Sequence, residues 1–215
     1  MDVLIAKKAI DCIRKLMEEN RDLLTELDSM IGDGDLGLTM TKGFNTASDK
    51  MKDSKESDVG QFFVRVGMEI SKAAPSTMGT LVATGFMKGG MALKGKIELS
   101  PADMALFFRA FTDGLMDRGK SKPGEKSIID VIDPAATAMK GAADDWNTLA
   151  DAGIAAARSG LENTKNLMAQ HGRAAYYQEK SIGKQDPGGT AGLFIVEEIL
   201  KTFKLEKYRN QHGSK

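Results

Sequence analysis

Gly114-Leu115-Met116-Asp117-Arg118-Gly119-Lys120-Ser121 fits the pattern of a phosphate-binding P-loop letter for letter. Read that way, it would put the chain in the α/β class, because a P-loop follows a buried strand and opens a helix. The flanking residues oppose that reading. Upstream, Ser100-Pro101-Ala102-Asp103 is a helix start, with a serine cap, proline in the first turn and an early acidic residue. Phe107, Phe108, Phe111 and Leu115 then recur at helical spacing. Gly119 can end that helix, and Lys122-Pro123-Gly124 reads as a turn. The motif is therefore read as a helix end followed by a basic loop over 120–126, and the fold turns away from α/β.

The same periodicity extends in both directions. Ile5, Ala9, Ile10, Ile13, Leu16 and Met17, then Leu23, Leu24 and Leu27, predict an amphipathic helix from Val3 to Leu27 with a break near Asn20. Met40, Phe44, Ala47 and Met51 mark a second helix. Ser57 or Asp58 can cap a third, with Phe62, Val66, Ile70 and Ala74 inward and Pro75 at its end. The small residues of 78–93 suit a closely packed helix. Further helices are predicted over 127–143, 148–170 and 190–205, with a polar glycine loop from Gly172 to Gly189 and a frayed tail over 207–215. About eight helices and no convincing strand make an all-α chain, read as one domain over 1–206.

Composition agrees. Aromatics are only 6% while Met reaches 13, and alanine is frequent, which favours helices over sheets. Thirty basic and 30 acidic residues cancel, so the basic excess of a dedicated nucleic-acid binder is missing. Cys12 is the only cysteine, which excludes an internal disulfide framework and fits a reducing cytosol. The charged N-terminal stretch is not a signal peptide, and no apolar run approaches the ~18 residues of a membrane span. A cytoplasmic protein without membrane or nucleic-acid partners is expected.

The most unusual segment is Leu27-Asp28-Ser29-Met30-Ile31-Gly32-Asp33-Gly34-Asp35-Leu36-Gly37. Gly32, Gly34 and Gly37 let the backbone turn sharply, so Asp28, Asp33 and Asp35 can converge. Unneutralised, they would repel one another; a hard divalent cation with oxygen ligands would resolve that, Mg²⁺, Mn²⁺ or Ca²⁺ rather than zinc. A solvated acidic turn is the alternative on spacing alone. The glycines also match a dinucleotide fingerprint, which requires a preceding strand, whereas a helix precedes them here. The loop from Gly172-Arg173 to Gln185-Asp186-Pro187-Gly188-Gly189-Thr190 leads into the last helix, whose free N–H groups suit an anion. His171 is read as structural.

Taken in order, the acidic turn, Ser76-Thr77-Met78-Gly79-Thr80, the stretch Gly119-Lys120 to Pro123-Gly124-Glu125-Lys126-Ser127-Ile128-Ile129-Asp130, and the loop Gly172-Arg173-Ala174-Ala175-Tyr176 through Asp186-Pro187-Gly188-Gly189-Thr190 resemble the nucleotide-binding L subunits of dihydroxyacetone kinases. The resemblance runs from Leu4 to about Phe203. It implies a barrel of eight antiparallel helices with ADP or ATP at one rim. It implies Mg²⁺, two ions, held by Asp28, Asp33 and Asp35. The implied nucleotide contacts are Leu36, Gly37, Leu38, Thr39, Ser76, Thr77, Met78, Gly79, Gly119, Ile128, Arg173, Asp186, Pro187 and Gly188, with Arg173 catalytic, beside the transferred phosphate. At 215 residues the chain matches the stand-alone form. That form retains ADP, which a phosphotransferase-system protein rephosphorylates, and it passes the phosphate to a ketone held by a separate K subunit. A homodimer stays open. Two residues depart from the family pattern: Leu36 replaces a histidine, and Met78 replaces a serine hydroxyl. They leave the ketose and the donor unassigned, and they keep a non-catalytic nucleotide sensor as the alternative, with a P-loop NTPase behind it.

Overall fold

In this computed structural model, residues 2–212 are described, with side chains described through Glu206; the end of the expected frayed tail, from residue 213, lies outside them. The described residues form nine α-helices and no strand: α1 (Val3–Glu19), α2 (Arg21–Ser29), α3 (Leu36–Met51), α4 (Val59–Ala73), α5 (Thr77–Ala92), α6 (Pro101–Gly119), α7 (Ile129–Gly141), α8 (Trp146–Asn163) and α9 (Pro187–His212). Most starts are specified by a side-chain cap. Asp2, Asp58, Ser76 and Asp145 each accept from amides of the first turn, and Ser100 with Asp103 forms a reciprocal capping box.

The packing closes a ring. Helix α1 packs on α3, each of α3 to α8 packs on its successor, and α9 returns to α1. Eight helices thus make an all-α barrel, and α2 is a short extra arm against α3. The break near Asn20 is real: its backbone leaves the helical region, and its amide side chain donates to the Leu16 carbonyl at 2.9 Å, ending α1. The core is dominated by phenylalanines. Phe44, Phe63, Phe86, Phe107 and Phe111 are fully buried, with ring centroids 4.6 to 6.1 Å apart in successive pairs. Gly85 and Gly89 let α5 sit directly on Phe111 and Phe107, where any side chain would overlap the rings. On α7, Pro134 has no N–H for the Asp130 carbonyl four residues back. Gly160 of α8 closes over that carbonyl, where a Cβ would clash.

Short connections from α3 through α8 make those helices alternate in direction, and the longer 164–186 connection brings the start of α9 beside the start of α5, where Gly188 meets Met78. One rim therefore collects the starts of α3, α5, α7 and α9. The other collects the loops before α4, α6 and α8, tied by Val59 N–H to Lys96 O at 2.8 Å and by Lys7 Nζ to Ser54 O at 2.6 Å. Three boundaries differ from the sequence reading by more than two residues, one being the end of α9, at His212 rather than 205. Helix α8 stops at Asn163 rather than 170, because the buried Thr164 turns its hydroxyl back to the Leu161 carbonyl at 2.6 Å and a 3₁₀ turn follows. Helix α9 starts at Pro187 rather than Thr190, since proline suits a first turn. Between them, Arg173–Ser181 forms 3₁₀ turns broken at Gln178.

Candidate functional site

The acidic turn converges as its glycines allow. Asp28 ends α2, and Gly34 takes a left-handed φ of +74° that brings the chain back. One carboxylate oxygen from each of Asp28, Asp33 and Asp35 lies within 4.8 Å of the others. Oxygens bound to a shared hard cation at 2.0–2.6 Å lie no more than about 5 Å apart, so the three carboxylates fit one. Asp35 occupies the cap position of α3, yet its side chain caps nothing. Asp28 instead accepts from the Leu36 N–H at 3.3 Å. Burial pushes the Asp28 pKa up; the Leu36 N–H opposes that, and the charges of Asp33 and Asp35 add to it. A cation would relieve this cost.

The other segments meet this turn across the rim. Arg173 Nη2 lies 2.9 Å from Asp33 Oδ2, and Lys184 Nζ donates to the Met30 carbonyl at 2.9 Å. Gly188 abuts the Met78 methyl, and a Cβ there would also come within 3.8 Å of the Ile128 amide nitrogen. The starts of α5, α7 and α9 are thus mutually adjacent, with the start of α3 linked through Arg173. Four helix N-termini concentrate free N–H groups and positive dipole ends around three carboxylates. Such a rim can take an anion and a cation together, as a metal-bound phosphate presents them.

Each residue singled out in the sequence can now be placed. Gly79 donates its amide N–H to the hydroxyl oxygen of the Ser76 cap at 3.0 Å and lies so close to the Ala74 carbonyl that a Cβ would overlap it. Gly37 is held equally tightly against the Arg21 carbonyl. Thr77 and Leu38 are exposed, Thr39 and Met78 half-buried. Leu36 and Ile128 are buried in the barrel, so only their backbone is available at the rim. Pro187 and Gly188 form the first turn of α9, and Asp186 caps it, accepting from the Gly189 N–H at 2.5 Å. Asp186 is only 6% exposed. Burial pushes its pKa up to about 7; the Gly189 N–H and Lys126 pull it down, while Asp130 and Asp28 add to the rise.

Gly119 ends α6, and Lys120 is its left-handed cap with φ of 51°. The P-loop match, Gly114 to Ser121, begins inside α6 and runs past its end, so the requirement for a preceding strand fails. Three residues that the sequence reading left unassigned stand behind the rim. Asp130 accepts from the Gly124 and Ser127 amides at 2.5 and 2.7 Å and shapes the α6–α7 loop. Glu125 meets His171 at 2.6 Å. Lys126 is buried beneath them. The partners of Asp130 are local, whereas His171, which meets Glu125, and the Thr164 and Lys184 carbonyls, which take the Lys126 ammonium, are distant in sequence, so spacing carries no signal for Glu125 and Lys126.

The DAK2 domain family matches residues 30–201. The chain is 31% identical to "PEP-dependent dihydroxyacetone kinase, ADP-binding subunit DhaL" of Escherichia coli, over 83% of this chain and 86% of that protein. It is 32% identical to "PEP-dependent dihydroxyacetone kinase 1, ADP-binding subunit DhaL" of Listeria innocua, over 86% of this chain and 89% of that one. Its fold superimposes with a TM-score of 0.71 on the solved dihydroxyacetone kinase from C. freundii in complex with AMP-PNP and Mg²⁺, at 18% identity, over 94% of this chain and 34% of that one. The chain thus spans about a third of that kinase's length. Among the described residues, no helix is long and apolar enough to cross a membrane.

Proposed function

Since the chain belongs to the DAK2 domain family, we propose that it is the ADP-binding subunit of a dihydroxyacetone kinase, or of a kinase for a related small ketose. Asp28, Asp33 and Asp35 would hold Mg²⁺, two ions in the family pattern, which supplies charge neutralisation on the nucleotide phosphates. The amides at the starts of α3, α5 and α9 would cradle the phosphates, around Gly37 to Thr39, around Gly79 and around Gly188. Ser76, Thr77 and Met78 would line the α5 side; Gly119, Ile128, Asp186 and Pro187 would line the rest. Arg173 would stabilise the phosphate in transit. Phosphoryl transfer rests on positioning and charge neutralisation, and this rim supplies both.

Relatives named as ADP-binding subunits of PEP-dependent and PTS-dependent dihydroxyacetone kinases support a retained ADP that a phosphotransferase-system protein would recharge, and a separate K subunit that would hold the ketone. The observation that carries the reading is the convergence of three carboxylates within 4.8 Å beside Arg173 on a rim of four helix starts. The nucleotide and metal content of the purified protein tests it, together with phosphate transfer to dihydroxyacetone on adding a cognate K subunit. Bound ADP with transfer supports it. Bound nucleotide without transfer would mark a sensor instead, and protein that takes up neither nucleotide nor Mg²⁺ would overturn it.

A further inference from the structure

Lys126 lies outside every residue set proposed above, yet it is 3% exposed and sits in a left-handed backbone conformation with φ of 57°. Burying an ammonium costs several kcal/mol unless its N–H groups are satisfied, and a lysine rarely adopts that backbone. Two expensive features at one residue need a common cause. Its Nζ donates to the Thr164 carbonyl at 2.7 Å and to the Lys184 carbonyl at 2.5 Å. Those carbonyls bracket the segment between α8 and α9. The neck is also closed by Gly183 N–H to Lys165 O at 2.7 Å and by Asp186 N–H to Thr164 Oγ1 at 3.1 Å. The enclosed stretch has left-handed residues at Gly172, Gln178 and Gly183 and only 3₁₀ turns, so its course depends on how its ends are held. It carries Arg173 and delivers Asp186 to the start of α9.

We propose that Lys126 is a positioning residue for Arg173: its buried ammonium clips the two ends of the 164–184 segment to the α6–α7 loop, which sets the arginine against the acidic turn. The neighbouring Glu125 fastens the middle of the same segment through His171 and through its own carbonyl, which accepts from the Gln170 N–H at 3.2 Å. A side chain with several donors can serve two carbonyls from the opposite ends of a loop at once. The proposal rests on the reading of Arg173 given above.

The test is a double-mutant cycle of Lys126→Met and Arg173→Gln, with hydrogen exchange across 165–183 as a readout independent of activity. Lys126→Met should speed exchange in that segment. It should also lower kcat for phosphate transfer on the order of tenfold to a hundredfold, as misplacement of a reacting group does. In the Arg173→Gln background it should change kcat by less than about threefold, because the two residues act as a unit. Lys126→Arg, which keeps the charge and the donors, should recover part of the rate, and it carries the cycle if the methionine variant does not fold. Multiplicative losses in kcat, or wild-type exchange in a folded Lys126→Met protein, would overturn the proposal. If Arg173→Gln alone leaves transfer intact, the reading of Arg173 fails, and the exchange data still decide whether Lys126 is the clip.

Discussion

Arg173 reaches across the rim to Asp33, with 2.9 Å between Nη2 and Oδ2, although the two residues lie in different loops at opposite ends of the sequence. The guanidinium thus supplies positive charge where the acidic turn most needs it. A metal ion bound there would compete for the same carboxylate. Replacing Arg173 by Gln should therefore tighten Mg²⁺ binding in the absence of nucleotide. The pair is largely exposed, and such pairs are worth up to about 1 kcal/mol, so the gain should be no more than about fivefold. The same variant should lose phosphate transfer by about two orders of magnitude, as when one donor to a developing anion is removed. Titration calorimetry with Mg²⁺ reads the first effect. An unchanged or weaker Mg²⁺ affinity would show that arginine and metal do not share Asp33.

Asp33→Asn should act in the opposite sense on the metal. The amide keeps the shape of the side chain and removes its charge. Hard cations depend on ligand charge, and loss of one charge-assisted partner costs ~1.5–3 kcal/mol. Mg²⁺-dependent ADP affinity should fall roughly tenfold to a hundredfold by that figure. The melting temperature without ligand should hold or rise, since three converging carboxylates become two. Full retention of Mg²⁺-dependent ADP binding would remove Asp33 from the metal set.

The contrast between these residues and Lys126 indicates what a sequence can disclose. The acidic turn was legible because its chemistry is local: three aspartates and three glycines within a few positions need no partner elsewhere to look unusual. The helices were legible because each is amphipathic and most carry a cap written in Ser or Asp. The end of α8 was not, since Thr164 stops it through bonds to Leu161 and Asp186, and the second lies in another segment. The grouping of helix starts at one rim followed from connection length and ring closure. The roles of Lys126, His171 and Glu125 are not legible in the sequence, because their partners come from loops brought together only when the barrel closes.

Lys120 tests the accidental P-loop. It caps α6 in the left-handed region and is exposed. Lys120→Ala should change ADP affinity by less than about threefold, the size of a lost surface charge. Lys120→Gly should raise stability by about 0.5–1 kcal/mol, because glycine takes that backbone without a Cβ clash. Near-complete loss of ADP binding in the alanine variant would mean that the lysine grips phosphate directly, as in a true P-loop.

Asp186 makes the pH dependence of the rim predictable. Its carboxyl titrates at about 7 in the folded protein against an ordinary 3.8, chiefly because it is buried. Between those values the folded state keeps a proton that the unfolded chain has released. Stability therefore falls as pH rises through that interval, and the loss is complete above about pH 7. The full effect is at most on the order of 4 kcal/mol, from 1.36 kcal/mol per pK unit. Asp186→Asn removes the titration while its side-chain oxygen can still accept from the Gly189 N–H. Urea unfolding of the metal-free and nucleotide-free protein should show the asparagine variant ahead by a modest margin at pH 5, where part of the loss has already occurred, and by a clearly larger margin at pH 8. Lys126 limits the gain, because its charge favours the carboxylate it faces. If the difference between wild type and variant were the same at both pH values, Asp186 would already be ionised at pH 5, and its burial would not set the pH response of this rim.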